Sequence, residues 1–183
     1  MNLEAIRLNC AMEQKRGLHF ILTSVIIWCS ITIIHMTDMP ISSKNLFTFC
    51  STTTLLPVSF MISKIIGVRF SNKDNPLNHL GFILSMNQML YLLIAMWVYA
   101  AVPEKLVMVL AMIFGAHLLP FGWLYKSMSY KVAAIMIPIF SLVIGNTYET
   151  YKLGVMMIII EVVFSIVLII EVKKEHGVNS RLE

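Results

Sequence analysis

The chain has 183 residues, of which 58% are hydrophobic and only 13% charged, with a mean hydropathy of +0.80. A soluble domain carries about 25% charged residues, so too little charge is present to cover a water-exposed surface, and a bilayer is the expected solvent. The net charge of +4 does not point to nucleic acid, because the basic residues sit between apolar runs, where they act as topology signals and contacts to anionic lipid.

Residues 1–17 precede the first apolar run. Leu3, Ile6 and Cys10 share a helical face opposite Glu4 and Arg7, which predicts a short cytoplasmic helix that either lies on the membrane surface or is a solvated lead-in. Lys15 and Arg16 then open a long apolar stretch that has no small-x-small cleavage site, so it is expected to stay as a span. A hydrocarbon core of about 30 Å needs about 20 helical residues. Six runs meet or approach that length, at about 18–36, 46–68, 78–101, 104–125, 131–148 and 153–172, followed by a tail at 173–183. Asp38-Met39-Pro40 separates the first two, and Asn72 to Pro76 forms a polar turn in which Asn75-Pro76 suits a helix cap and first position. Pro103-Glu104 marks the start of the fourth. The predicted fold is all-α, a polytopic six-transmembrane-helix bundle.

Orientation follows from the basic residues. Counted by flank and loop, Lys and Arg alternate 3-1-3-1-2-1-3, eleven on one side and three on the other. The positive-inside rule then makes both termini cytoplasmic, in agreement with an even number of spans. Trp97, Tyr99, Tyr148 and Tyr151 near the outer ends, and Trp123, Tyr125 and Tyr130 around an inner loop, read as interfacial belts. Trp28 falls mid-span. Cys10, Cys29 and Cys50 are odd in number and lack metal-site spacing, so neither a disulfide framework nor a metal or cofactor site is expected.

The segments "NPLNHLGFILSMNQMLYLLIAMW" and "VPEKLVMVLAMIFGAHLLPFGWLY", within a pattern running from "KRGLHFIL" at Lys15 to the sixth run, resemble a family of small bacterial six-span membrane proteins of unknown function. The resemblance implies a multi-pass protein of the bacterial cell membrane. It implies no activity, ligand or catalytic residue.

Polar groups inside spans cost free energy and mark candidate sites. At about 1.5 Å per residue, His117 in the fourth run and Asn87 and Gln88 in the third reach nearly the same depth. The short connection at Pro103 makes these helices antiparallel neighbours, so Asn87 or Gln88 is placed to hydrogen-bond His117. Pro120 removes the helical partner of the Ala116 carbonyl beside His117, and Pro57 and Pro138 likewise free the carbonyls of Thr53 and Ala134. Glu161, near the midplane, shares a face with Gly154 and Ser165, and Tyr91 is a candidate partner for it. Desolvation disfavours a charge at that depth, which makes Glu161 a candidate proton-binding group.

The plainer reading is that Asn87, Gln88, Thr52 to Thr54, Ser59 and Ser63 join helices, and that Ala111, Gly115 and Gly122, or Ser141 and Gly145, let helices approach. For His117 both readings stand; for Glu161 the functional one is preferred. His19, His35 and His79 fall at helix ends. A short likeness between "LPVSFMISKIIG" and "IPIFSLVIG" fits an inverted repeat, though it is made of common membrane residues. Two functions follow: a small transporter or membrane binding protein with a polar site at His117, Asn87, Gln88, Tyr91 and Glu161, or a non-catalytic assembly or regulatory subunit whose polar residues fix packing. The second implies a homo-oligomer or a partner subunit. An intramembrane enzyme lacks its paired carboxylates or base–nucleophile set.

Overall fold

The computed structural model describes residues 2–68 and 75–179, the last five of these by backbone alone. Arg69, Asn72, Lys73 and Arg181, which entered the charge count and the turn above, lie outside the described residues. Helix α1 covers Leu3–Glu13, α2 Leu18–Met36, α3 Ile41–Thr53, α4 Leu55–Ile65, α5 Pro76–Ala101, α6 Leu106–Leu124, α7 Met128–Thr147 and α8 Thr150–Asn179. Among the described residues there is no strand, and six helical stretches are long and apolar enough to cross a membrane, with α3 and α4 forming one of them.

The local signals work as their chemistry requires. The Asn75 side chain accepts from the Leu77 N–H at 2.9 Å and Pro76 takes the first position of α5, where a missing N–H costs nothing. The second stretch starts at Ile41, five residues ahead of the predicted 46, and two polar residues of its first turns, Asn45 and Thr48, are buried against the rest of the bundle. Asn45 is fully buried and donates to the Pro103 carbonyl at 2.9 Å. The same stretch breaks at Thr54, just ahead of Pro57. Near the break the hydroxyls of Thr52, Thr53 and Thr54 donate to the carbonyls of Phe49, Cys50 and Ser51. Ser59 and Ser63 do the same to Leu56 and Phe60. These hydroxyls therefore serve their own helix and are not the interhelical bonds expected of them. Helices α6 and α7 continue through Pro120 and Pro138.

Small residues set the packing of α6 on α7. A Cβ on Gly115 would meet Pro138 Cδ at 2.5 Å, one on Gly122 would meet Lys131 Cγ at 2.7 Å, and one on Gly145 would meet Met108 Cγ at 2.5 Å. The three contacts fall at seven-residue intervals on both helices, so one antiparallel register holds along the pair. Ala111 is buried, and so is Ser141, whose hydroxyl turns to Met157 of α8. Trp28, the mid-span exception, is buried with its ring edge-on to Phe114 at 6.4 Å.

The first and last long helices, α2 and α8, pack antiparallel and form much of the core. Arg16 meets Glu171 at one end and Thr32 meets Gly154 at the other, which puts the start of α2 and the end of α8 on the same side of the bundle. Across that side lies α1, docked on the bundle by one face. Cys10 and Ala11 are buried, Asn75 donates to the Ile6 carbonyl at 3.0 Å and to Asn9 at 2.8 Å, and the Arg7 guanidinium stacks 4.4 Å from the Trp123 ring. Lys126 pairs with Glu4. Trp123, Trp97 and Tyr148 are exposed as a belt requires, but Tyr125 and Tyr130 are buried, because α1 and the turn after it cover them.

Candidate functional site

Buried polar side chains recur from the turn before α2 to its end, and three of them, Arg16, Ser24 and Thr32, meet α8 at Glu171, Glu161 and Gly154; we refer to the series as a column. On α2 and the turn before it Arg16, His19, Thr23, Ser24, Thr32 and His35 are all buried, and on α8 so are Glu161 and Ser165. From Arg16 to His35 the column spans about 28 Å at 1.5 Å per residue, close to the thickness of a hydrocarbon core.

One end is built on an unusual turn. Lys15, Arg16 and Gly17 all have positive φ, at 43°, 52° and 70°, a left-handed conformation that costs non-glycine residues energy. The reversal turns the Arg16 side chain inward, where its Nη1 lies 2.5 Å from Glu171 Oε2. Ser127 donates to the same oxygen at 2.9 Å, Ser129 donates to Oε1, and Tyr130 donates to the Arg16 carbonyl at 2.7 Å. Glu171 is thus held by a cation and two hydroxyls.

The middle of the column is Glu161, with no exposed surface, eleven residues into α8. Its Oε2 lies 2.5 Å from Ser24 Oγ, and that same Oγ lies 2.7 Å from the Ile21 carbonyl. A serine hydroxyl has one proton and two lone pairs. When the proton goes to Ile21, the short contact to Glu161 is satisfied only if the carboxyl brings a proton of its own. When the proton goes to Glu161, the carboxylate is satisfied instead. Glu161 Oε1 and the hydroxyl of Ser165, one turn further, are buried with no hydrogen-bond partner among the described residues.

At the other end His35 Nε2 lies 3.1 Å from Thr48 Oγ1, and Lys44 reaches toward the His35 carbonyl at 3.5 Å. A cleft of about 300 Å³ opens there, lined by His35, Ile41, Lys44, Glu149, Thr150 and Tyr151.

The other residues singled out from the sequence sit elsewhere. His117 Nδ1 bonds the Phe114 carbonyl of its own helix at 2.5 Å, and the ring packs between Phe114 and Phe121. Asn87 donates to Tyr91 Oη at 2.9 Å, one turn away on α5, and both are exposed. The expected Asn87–His117 bond is therefore not formed: at their shared depth Asn87 points away from α6. Gln88 is half-buried, and the register fixed by Gly81 against Leu124 carries residue 88 to the level of His117, yet no hydrogen bond joins the two. Nor does Tyr91 reach Glu161, whose partner is Ser24. Pairing by adjacency in sequence missed Ser24, because the first and last spans meet only in the folded bundle. Arg16 and Glu171 were missed for the same reason, and His19 and His35, placed at helix ends, are buried in the folded bundle.

The sequence pattern of a family of unknown function, DUF7010, matches residues 3–171, nearly the whole chain. No curated protein and no solved structure matches it.

Proposed function

We propose that this chain, which belongs to the DUF7010 family of unknown function, is a small transporter or membrane binding protein of the bacterial cell membrane, with both termini cytoplasmic and the basic ends against anionic lipid. Glu161 is its proton-binding group. The observation that carries this reading is the Ser24–Glu161 contact: a single hydroxyl that serves the carboxyl in either protonation state, beside a carboxyl oxygen left without a partner. A buried polar atom without a bond asks for an explanation, and an intermittently arriving proton, water or solute provides one. Arg16–Glu171 below and the His35 cleft above extend the polar column toward both faces.

The test is infrared difference spectroscopy on protein in lipid, titrated with pH. The expected result is a carbonyl stretch from a protonated carboxyl that disappears with pH, is missing in Glu161→Gln and is displaced in Ser24→Ala. Labelling of a single cysteine at Ser165→Cys by a membrane-impermeant thiol reagent is expected as well, since the column must admit water. A band indifferent to Glu161→Gln, together with an unlabelled position 165, would sink the proposal.

One observation favours the second reading, a non-catalytic assembly or regulatory subunit. Gly154 packs tightly on Thr32, and the three α6–α7 glycines pack tightly on their neighbours, as in a bundle whose helices are built to stay together. Under that reading Glu161→Gln retains every function of the cell that needs the protein.

A further inference from the structure

Of the six long stretches, α5 is the least covered by the rest of the chain. Its outward face is not uniformly apolar. Ile83, Asn87, Leu90, Ile94 and Trp97 are all exposed and follow one another at intervals of four, three, four and three residues. That spacing makes a straight seam along a helix that pairs with another at a shallow left-handed angle. Asn87 is its one polar member and stands eleven residues into a 26-residue helix, about 16 Å along it, at the depth where hydrocarbon offers no hydrogen bonds.

The unused valences at this point define what must cover it. Tyr91 Oη accepts from Asn87 Nδ2, so the tyrosine proton remains to be donated, and Asn87 Oδ1 has no donor among the described residues. A covering helix must offer an acceptor to Tyr91 and a donor to Asn87 at one depth. The same Asn87–Tyr91 pair offers both. Two parallel copies related by a twofold axis along the membrane normal match Tyr91 O–H of each to Asn87 Oδ1 of the other, a self-complementary arrangement. A lone asparagine in a seam with 3-4 spacing is also the device that fixes register and copy number in paired helices.

We propose that α5 is the self-association surface of this protein, a parallel homodimer seam centred on Asn87 and Tyr91. The inference stands independently of the role given to Glu161.

The test is oxidative cross-linking in native membranes, with Cys10, Cys29 and Cys50 replaced and single cysteines introduced one at a time. Ile83→Cys, Leu90→Cys and Ile94→Cys are expected to give strong cross-links to a second copy. Met89→Cys and Met96→Cys, exposed on the same helix but off the seam, are expected to give weak ones. Adding Asn87→Leu should lower the seam cross-links roughly three- to tenfold, the range for one or two interhelical hydrogen bonds, and Tyr91→Phe should lower them less while leaving the fold intact. Equal yields on and off the seam, a monomer in nanodiscs at every protein-to-lipid ratio, or cross-links from the seam only to a different protein would each overturn the proposal. So would seam cross-links that ignore both substitutions.

Discussion

Helices α2 and α5 carry the same message in sequence, a long apolar run with a few polar interruptions, and the fold uses them in opposite ways. In the most apolar stretch of α2, 56% of residues are buried; in that of α5, 11%. Ser24 and His35 of α2 point inward and meet polar partners on α8 and α3, whereas Asn87 and Tyr91 of α5 point outward and meet each other. A polar residue in an apolar helix therefore marks a contact without saying with what. The neighbours decide, and α2 has α8 on one side and α3 and α4 on another, while α5 leans mainly on α6.

The largest expected break in this contrast is at the mouth of the column. Arg16→Leu removes the cation from Glu171 and leaves a partly buried carboxylate with only Ser127 and Ser129. Breaking one partner of a buried pair costs about 3–5 kcal/mol, so a clear fall in thermal stability in detergent is expected, partly restored by Arg16→Leu with Glu171→Leu. Asn87→Leu on α5 should leave the same melting temperature nearly unchanged. If the α5 variant melts lower than the α2 variant, the assignment of inside and outside is wrong.

A smaller contrast uses two glycines. A Cβ on Gly154 of α8 would come within 3.2 Å of Thr32 Cβ and 3.3 Å of its Cα, backbone that moves only with the whole helix. Gly154→Ala is expected to cost about 1–3 kcal/mol. On α5 a Cβ at Gly81 would touch only Leu124 Cδ2, at an ordinary 3.4 Å, and Gly81→Ala should cost nothing and gain up to about 1 kcal/mol of helix propensity. Melting curves of the two variants side by side measure the difference between a tight and a loose helix contact.

The same contrast explains what could be read in advance. Hydropathy and punctuation give the six stretches, the Asn75-Pro76 start and the Gly154–Glu161–Ser165 face, because those depend on one helix at a time. Close approach at Gly115 and Gly145 was also legible, since a missing side chain on an apolar helix has few other uses. Partners were not. Ser24 for Glu161, Glu171 for Arg16 and Thr48 for His35 join distant segments, and no spacing within one segment encodes them. The early start of α3, with Asn45 and Thr48 buried, and the buried Tyr125 and Tyr130 were missed for a related reason: polar and aromatic residues near a helix end look interfacial until something covers them.

The smallest expected effect concerns what covers them. The Cys10 thiol donates to Asn78 Oδ1 at 3.3 Å, and its pKa is pushed up to about 11, first by burial and then by the charge of Glu13. Because the thiolate is the reactive form, alkylation of Cys10 near neutral pH should run about a hundredfold slower than in the unfolded chain, whose thiol ionises about two pH units lower. The raised value also means that the buried neutral thiol favours docking fully below pH 9 and loses that contribution as pH rises toward about 11. At the other extreme, the Lys126 ammonium holds the Glu4 carboxyl below its ordinary range, through their hydrogen bond first and its charge second. Its contribution is present above the usual carboxylate range and fades as acid protonates it. Docking of α1 should therefore be firmest between the two, and Cys10 should be least reactive there relative to the unfolded chain. Equal rates in folded and unfolded protein would mean that α1 stands away from the bundle, leaving Tyr125, Tyr130 and the Arg16 turn open to water. The covered side of the molecule would then resemble α5 more than α2.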